Sequence, residues 1–232
     1  MDWNQQLNQY CERTSAAFWS EPLNAVSNIA FIIAALIALQ IWKNARSNAK
    51  NTDSTQTISQ DNAALLLILL VVIIGIGSFL FHTFATYWAL LADSIPIAAF
   101  MLAYFYLATR RYLGANILIS LIVTVIFYAA LEYLPPLFQG LMGSTAGYFP
   151  ALLAILLFAA LTRWKHKPTS NALFLGGLVF AVSMIFRMLD QPLCPILPTG
   201  THYLWHILNA ALLLILIRAF IRFKTYKDSA ES

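Results

Sequence analysis

GIGSFLFHTFATYWALLAD, residues 75–93, is the stretch around which the fold of this chain is organised. It places Ser78, His82 and Asp93 within otherwise very apolar sequence. A second stretch, residues 202–206, adds two histidines at helical spacing. Ionisable groups are costly inside a bilayer and usually have a function there. We therefore expect these side chains to form one site within a membrane-embedded protein.

The composition of the chain is typical of a polytopic membrane protein. Of its 232 residues, 60% are hydrophobic and only 10% are charged, and the mean hydropathy is +0.70. Soluble domains carry about 25% charged residues. Seven apolar segments recur, each about 18–22 residues long, and as helices of about 27–33 Å they match the hydrocarbon core of a bilayer. They cover residues 24–42, 63–83, 89–109, 113–134, 145–162, 171–189 and 201–221.

Lysine and arginine indicate how these segments are oriented. With the N-terminus outside, twelve of the fourteen basic residues fall in inner segments, and Arg13 and Arg187 remain outside. We therefore predict an all-α, seven-transmembrane helix bundle with the N-terminus outside and the C-terminus inside. The distribution also explains the isoelectric point of about 9.1 without a nucleic-acid partner. The predicted parts of this single domain, residues 1–232, include an outer leader without a signal-peptide core (1–23), a polar inner loop (43–61) and an inner tail (222–232).

The histidines of the predicted spans lie at one depth, in the outer half of the bundle. His202 and His206 share a helix face because they are four residues apart, and His82 comes from another helix. Three histidines with one open position form the pattern of a catalytic zinc site. Asp93 could orient a water molecule or an imidazole there. A lone histidine at a helix end is more often interfacial, and we assign no role to His166 in the basic inner segment.

Other polar residues of the outer half have structural interpretations. Ser78 is equally consistent with helix packing, because Gly75 and Gly77 beside it permit close approach. Arg187 and Asp190 are expected to pair with each other and cap the sixth span. Neither interpretation requires a ligand.

The chain has two cysteines, Cys11 and Cys194, and no CxxC pair. Both fall outside in the predicted topology, where thiols can oxidise. We expect a disulfide that ties the leader across the mouth of the site. Two free thiols remain the alternative at this stage.

The combined motif resembles the alkaline ceramidase family, over nearly the whole chain. The matching segments are Ser78-x-x-x-His82, Asp93, His202-x-x-x-His206, Cys11-Glu12, Glu21-Pro-Leu-Asn-Ala-Val-Ser-Asn28 and Asp190-x-x-x-Cys194. Progestin and adipoQ receptors and Per1-type lipid-remodelling proteins share the same Ser, His, Asp and HxxxH set. The motif therefore indicates the superfamily more sharply than the substrate.

The resemblance implies a zinc-dependent intramembrane hydrolase. Such an enzyme cleaves the amide bond of ceramide-like N-acyl lipids to a sphingoid base and a fatty acid, using water activated by the metal. By the same resemblance, His82, His202 and His206 bind zinc. Asp93 then works on the water, and Ser78 lies beside the metal.

The resemblance also implies a calcium site in the leader. Glu12 and Glu21 match two of its carboxylates. Other ligand positions of the family's pattern are changed here, and the spacing between Cys11 and Glu21 is shorter. The replacing residues are Gln9, Tyr10 and Thr14.

Other functions are also compatible with parts of this pattern. A lipid receptor or sensor on the same scaffold would need no turnover, and an esterase acting on phospholipids or lipid anchors would use the same site. A transporter would need polar groups across the full membrane depth, which the inner halves lack, and a serine–histidine protease would leave three histidines unexplained. We expect a multi-pass protein of a bacterial inner membrane, with its site toward the outer half, on the periplasmic or luminal side.

Overall fold

The computed structural model describes residues 2–51 and 61–230, with side chains for residues 2–47 and 61–224. Within these ranges the regular secondary structure is helical, and a lone β-bridge joins Gln6 to Thr86. The helices are α1 (Pro22–Ser27), α2 (Ile29–Asn51), α3 (Asn62–Phe84), α4 (Tyr87–Leu113), α5 (Ile117–Tyr133), α6 (Pro135–Met142), α7 (Phe149–Thr162), α8 (Lys167–Leu193) and α9 (His202–Ala230), and a 3₁₀ segment (Gly143–Tyr148) precedes α7.

Six helical segments of the described residues are long and apolar enough to cross a membrane. They are Pro22–Ser47, Asn62–Phe84, Tyr87–Leu113, Pro135–Thr162, Lys167–Leu193 and His202–Lys224. The predicted fourth span corresponds to α5, which is apolar but has only 17 residues. The prediction of an all-α, multi-pass membrane protein is therefore confirmed.

Two helices extend beyond the predicted spans, because hydropathy locates the bilayer rather than the end of a helix. α2 continues to Asn51, so the first part of the predicted inner loop is helical, while residues 52–60 lie outside the described residues. α9 continues to Ala230, so the predicted inner tail is helix as far as it is described. Long basic side chains can reach water from a helix that continues past the apolar core.

The hairpin of α3 and α4 brings the two halves of the central motif together. α3 ends at Phe84, the next residue, Ala85, adopts a left-handed conformation, and α4 begins at Tyr87. The helices touch at Gly77, where a Cβ atom would lie 1.9 Å from the carbonyl oxygen of Ala92. A side chain at this position would separate the helices that carry Ser78 and Asp93. The glycine is therefore required by the close approach.

The leader, residues 2–21, is covalently fastened to the loop between α8 and α9. The predicted disulfide between Cys11 and Cys194 is confirmed. We call this end of the bundle the leader end. His82, at the end of α3, and His202, at the start of α9, both lie there.

Asp190 does not form the ion pair with Arg187 that the sequence suggested. Its carboxylate instead accepts backbone N–H bonds from Thr201 at 2.8 Å and from Cys11 and His202 at 2.9 Å each. An acidic side chain that satisfies the free N–H groups of a helix start is a favourable cap. Gly200 makes room for it, since a Cβ there would lie 2.1 Å from the Asp190 carboxylate.

Breaking the disulfide is expected to destabilise the protein without unfolding the helices. For Cys11→Ser we expect a melting temperature about 5–10 °C lower, because the bond closes a very long loop. Thermal unfolding in detergent measures the shift. The double variant Cys11→Ser/Cys194→Ser is the matched control and should equal the single variant. An unchanged melting temperature after reduction, with both thiols shown to be free by mass spectrometry, would contradict the expectation.

Candidate metal centre

Three histidines form a buried cluster at the leader end. His82 lies in the last turn of α3, and His202 and His206 lie one turn apart at the start of α9. One ring nitrogen from each lies within 4.8 Å of the other two. Their exposed fractions are 0%, 1% and 2%. The three side chains that the sequence indicated as one site are therefore adjacent, with the spacing and burial that a metal ion requires.

Several atoms of this cluster lack the hydrogen-bond partners that burial demands. Among the described residues, Nε2 of His82, Nδ1 of His202 and Oδ1 of Asp93 are buried without a partner. Each unsatisfied buried polar atom costs about 1–3 kcal/mol. A bound cation with a coordinated water would satisfy such atoms, so the residues present fit a metal.

Side chains outside the cluster orient two of the imidazoles. Oε2 of Glu21 lies 2.6 Å from Nδ1 of His82, and Oγ of Ser27 lies 2.7 Å from Nδ1 of His206. In metal sites the second ring nitrogen of a histidine ligand is commonly held in this way, which sets its tautomer and direction. The two contacts leave Nε2 of both rings for coordination.

The leader supports the same histidines from the other side. The ring of Tyr10 stacks on His202 with a centroid distance of 3.7 Å and an interplanar angle of 19°. The guanidinium of Arg13 donates to the backbone oxygen of His82 at 3.0 Å and also bonds Glu21. Burial raises the pKa of Tyr10 to about 12, so its hydroxyl remains protonated.

Asp93 and Ser78 lie beside the histidine cluster, as the hairpin geometry requires. The Asp93 carboxyl is close enough to interact with Ser78 and electrostatically with His82. Ser78 is buried, whereas Asp93 is partly exposed. An acidic side chain with one unpartnered oxygen next to three histidines can accept a proton from a water molecule held between them.

An apolar cavity begins next to the cluster and runs toward the opposite end of the bundle. Its volume is about 80 Å³. On α9 its lining extends from Trp205 to Leu216, about 17 Å along the helix axis. Its further lining is aromatic and aliphatic, with Asn209 as a polar member. The lining is chemically suited to a hydrocarbon chain.

The comparison with known protein families agrees with this geometry. The family model described as Ceramidase matches residues 7–232. The chain belongs to the ceramidase family. This membership supports ceramide hydrolysis, and hence an amidohydrolase with a lipid substrate. No curated protein matches the sequence.

The structure also identifies residues near the site that sequence reasoning missed or placed elsewhere. The sequence motifs assign no role to Ser27 and suggest Glu21 only as a calcium ligand. Arg13 was counted only as a charge. Their roles depend on contacts between segments far apart in the chain, and the one sequence signal for them is that polar residues cluster at the leader end.

Proposed function

We propose that this protein is a zinc-dependent intramembrane hydrolase that cleaves the amide bond of ceramide-like N-acyl lipids. The products would be a sphingoid base and a fatty acid. The observation that carries the proposal is the buried histidine cluster, with unsatisfied nitrogens and an adjacent carboxyl, at the end of a long apolar cavity. Membership of the ceramidase family supports the choice of an amide lipid.

His82, His202 and His206 would hold the metal. Neutral imidazoles in a three-residue set suit zinc and leave one position open. When bound, zinc polarises a carbonyl group and lowers the pKa of a coordinated water to about 7. Glu21 and Ser27 keep two of the three rings in the orientation that exposes Nε2.

Asp93 would transfer the proton. Its unpartnered Oδ1 accepts a proton from the attacking water and returns it to the amine as the carbon–nitrogen bond breaks. Such general acid–base catalysis contributes about 10²–10⁴-fold. Ser78 lies beside this carboxyl and would orient it or donate a hydrogen bond to the developing oxyanion. The apolar cavity holds the acyl chain and excludes bulk water.

The membrane arrangement is part of the same proposal. α5, at about 26 Å, is at the lower limit for crossing a bilayer, and counting it gives seven spans. An odd number of spans places the two termini on opposite sides. The basic residues then favour the leader end as the outer, periplasmic side of a bacterial inner membrane.

The leader carboxylates do not fit the calcium site that the sequence suggested. Glu12 accepts backbone N–H bonds from Leu23 at 2.8 Å and from Asn24 at 2.9 Å, so both of its oxygens cap α1. Both oxygens of Glu21 are also occupied, by Arg13 on one and by His82 and Asn24 on the other. Although burial opposes ionisation, these hydrogen bonds lower the pKa of Glu21. We propose that the guanidinium of Arg13 supplies the positive charge at this point.

We accordingly expect calcium to have no effect on stability or turnover, and Arg13 to contribute to zinc binding. Adding calcium to calcium-free, zinc-loaded protein should leave the melting temperature and turnover unchanged.

Arg13→Ala should weaken zinc binding about tenfold or more, because it releases Glu21 from its position against His82. Zinc titration with a competing chelator measures this. Arg163→Ala, at an exposed arginine, is the control for Arg13→Ala. A rise in the melting temperature of the wild type on adding calcium would contradict the first expectation.

A substrate panel tests the function itself. Purified protein is incubated with ceramide, other N-acyl lipids and O-acyl lipids, and the products are identified by mass spectrometry. We expect a fatty acid and a free amine from the N-acyl lipids, dependent on zinc. Release of fatty acid from the O-acyl lipids alone would identify an esterase instead, and no turnover of any lipid would favour a receptor.

A further inference from the structure

Arg187 is a charged side chain near the site that the proposed mechanism does not use. It lies near the end of α8, within a helix long and apolar enough to span a membrane. Among the described residues, no ion pair includes it, and its Nε is buried without a hydrogen-bond partner. Asp190, the expected partner, is occupied by the backbone at the start of α9.

Aromatic rings surround the guanidinium of Arg187 without neutralising its charge. Its central carbon lies 5.5 Å from the ring centre of Tyr10, 5.6 Å from that of Tyr148 and 5.1 Å from that of Trp205. Its Nη1 donates to the Tyr10 hydroxyl at 3.0 Å. Cation–π contacts of this kind contribute up to about 2 kcal/mol when desolvated. Asp93 interacts with the guanidinium electrostatically, but the two do not form an ion pair within 4.0 Å.

The position of Arg187 connects the apolar cavity with the histidine cluster. Tyr148 and Trp205, which flank the guanidinium, also line the cavity. Tyr10, which it hydrogen-bonds, stacks on His202. A ligand with its hydrocarbon chain in the cavity would therefore have its polar end beside this cation.

We propose that Arg187 binds the carboxylate of a long-chain ligand at this junction. The inference rests on the proposed lipid hydrolysis for the origin of that ligand. A buried cation is stabilised by an anion that also satisfies its free N–H groups, and the planar guanidinium matches a carboxylate in a two-point contact. The open Nε–H is one of the donors such a contact uses.

Two ligands supply this chemistry. One is the fatty acid released when the amide is hydrolysed. The other is an N-acyl amino acid substrate, whose head group carries a carboxylate next to the amide nitrogen. Both place a carboxylate at the end of an alkyl chain near the histidines, and the second would extend the substrate range beyond neutral ceramides.

Direct binding tests the carboxylate site without any turnover. Palmitate, N-palmitoylglycine and the neutral analogue hexadecanol are titrated against zinc-loaded protein in detergent, with the fluorescence of Trp205 and the other tryptophans as the signal. We expect Arg187→Gln to weaken the binding of at least one of the two carboxylates about tenfold or more, and to change the affinity for hexadecanol by no more than about twofold. Arg187→Lys keeps the charge but loses the planar guanidinium, so its affinity for the carboxylate should lie between those of the wild type and Arg187→Gln. Arg218→Gln, at an exposed arginine of α9, is the control.

Kinetics distinguish the two sources of the carboxylate. If the head group is recognised, Arg187→Gln raises KM for N-palmitoylglycine and leaves KM for ceramide unchanged. If the released fatty acid is held, the variant relieves inhibition by palmitate with either substrate. An inactive wild-type protein that still prefers palmitate to hexadecanol would count against the hydrolase proposal but support this site.

Two outcomes would overturn the proposal. One is equal affinity of the wild-type protein for palmitate, N-palmitoylglycine and hexadecanol, a measurement that needs no variant. The other is an equal loss of affinity for all three ligands in Arg187→Gln together with wild-type affinity in Arg187→Met. That result would show that the side chain only fills space among the aromatic rings.

Discussion

Replacing His206 with alanine is expected to remove the metal and lipid hydrolysis together. The side chain is buried, its Nδ1 is held by Ser27, and its ring offers one of three coordinating nitrogens. Two remaining histidines bind zinc far more weakly than three. The zinc content measured by elemental analysis should therefore fall from about one zinc per chain to a trace. Amide hydrolysis, measured as the release of fatty acid, should fall to background.

The matched control for this change is His166→Ala. His166 lies outside the cluster and contacts Thr169 at the start of α8. We expect this variant to keep both zinc and activity. Stoichiometric zinc in a protein lacking all three cluster histidines would refute the assignment of the metal site.

Replacing Asp93 with asparagine is expected to abolish most turnover while the metal remains. Asparagine keeps the shape of the side chain but cannot take a proton from water. Turnover should fall about 10²-fold or more, which corresponds to roughly 3 kcal/mol on the barrier. Zinc content and melting temperature should stay close to those of the wild type, since none of the three histidine ligands is changed.

The neighbouring residue on α4 provides a control for Asp93. Ser94 is exposed and its hydroxyl bonds the backbone oxygen of Leu90, so Ser94→Ala should behave like the wild type. Full activity of zinc-loaded Asp93→Asn would exclude Asp93 as the base. If the wild type shows only trace turnover that neither His206→Ala nor Asp93→Asn alters, the protein is better described as a lipid receptor.

These experiments separate the roles of residues that lie within one small volume. A metal ligand, a proton acceptor and a positioning residue all lower activity when changed, but they differ in what happens to zinc. We expect His206→Ala to lose the metal, Asp93→Asn to keep it, and Arg13→Ala to weaken its binding while the three histidines remain. Zinc content and affinity must therefore be measured alongside turnover for every variant.

The membrane character of the chain and the composition of its histidine site could be predicted from local patterns. Apolar segments of the right length define helices because each helix satisfies its own backbone hydrogen bonds in lipid. Costly polar residues at one end of those segments mark the site, and a spacing of four places His202 and His206 on one face. The distribution of basic residues placed Cys11 and Cys194 on the same side and favoured a disulfide over two free thiols.

Helix ends and polar partners could not be predicted in the same way. α2 continues through polar sequence as far as Asn51, and hydropathy does not report where a helix ends outside the bilayer. Arg187 and Asp190 are three residues apart on one helix, which suggested a pair. Instead, Arg187 donates to the Tyr10 hydroxyl, and Asp190 accepts from backbone N–H groups of the leader and the start of α9. Local spacing predicts contacts on one helix only when no stronger partner comes from elsewhere.

The amino-acid sequence by itself determined that this is an all-α membrane protein with a zinc-type set of histidines and a nearby aspartate. Only the tertiary structure decided that Glu21 and Ser27 contact two of those histidines and that Arg13 bonds to Glu21. The physical reason is the difference between the two kinds of information. Burial of apolar side chains is encoded residue by residue, whereas a buried polar group is satisfied by whichever donor or acceptor the packing of distant segments brings within about 3 Å.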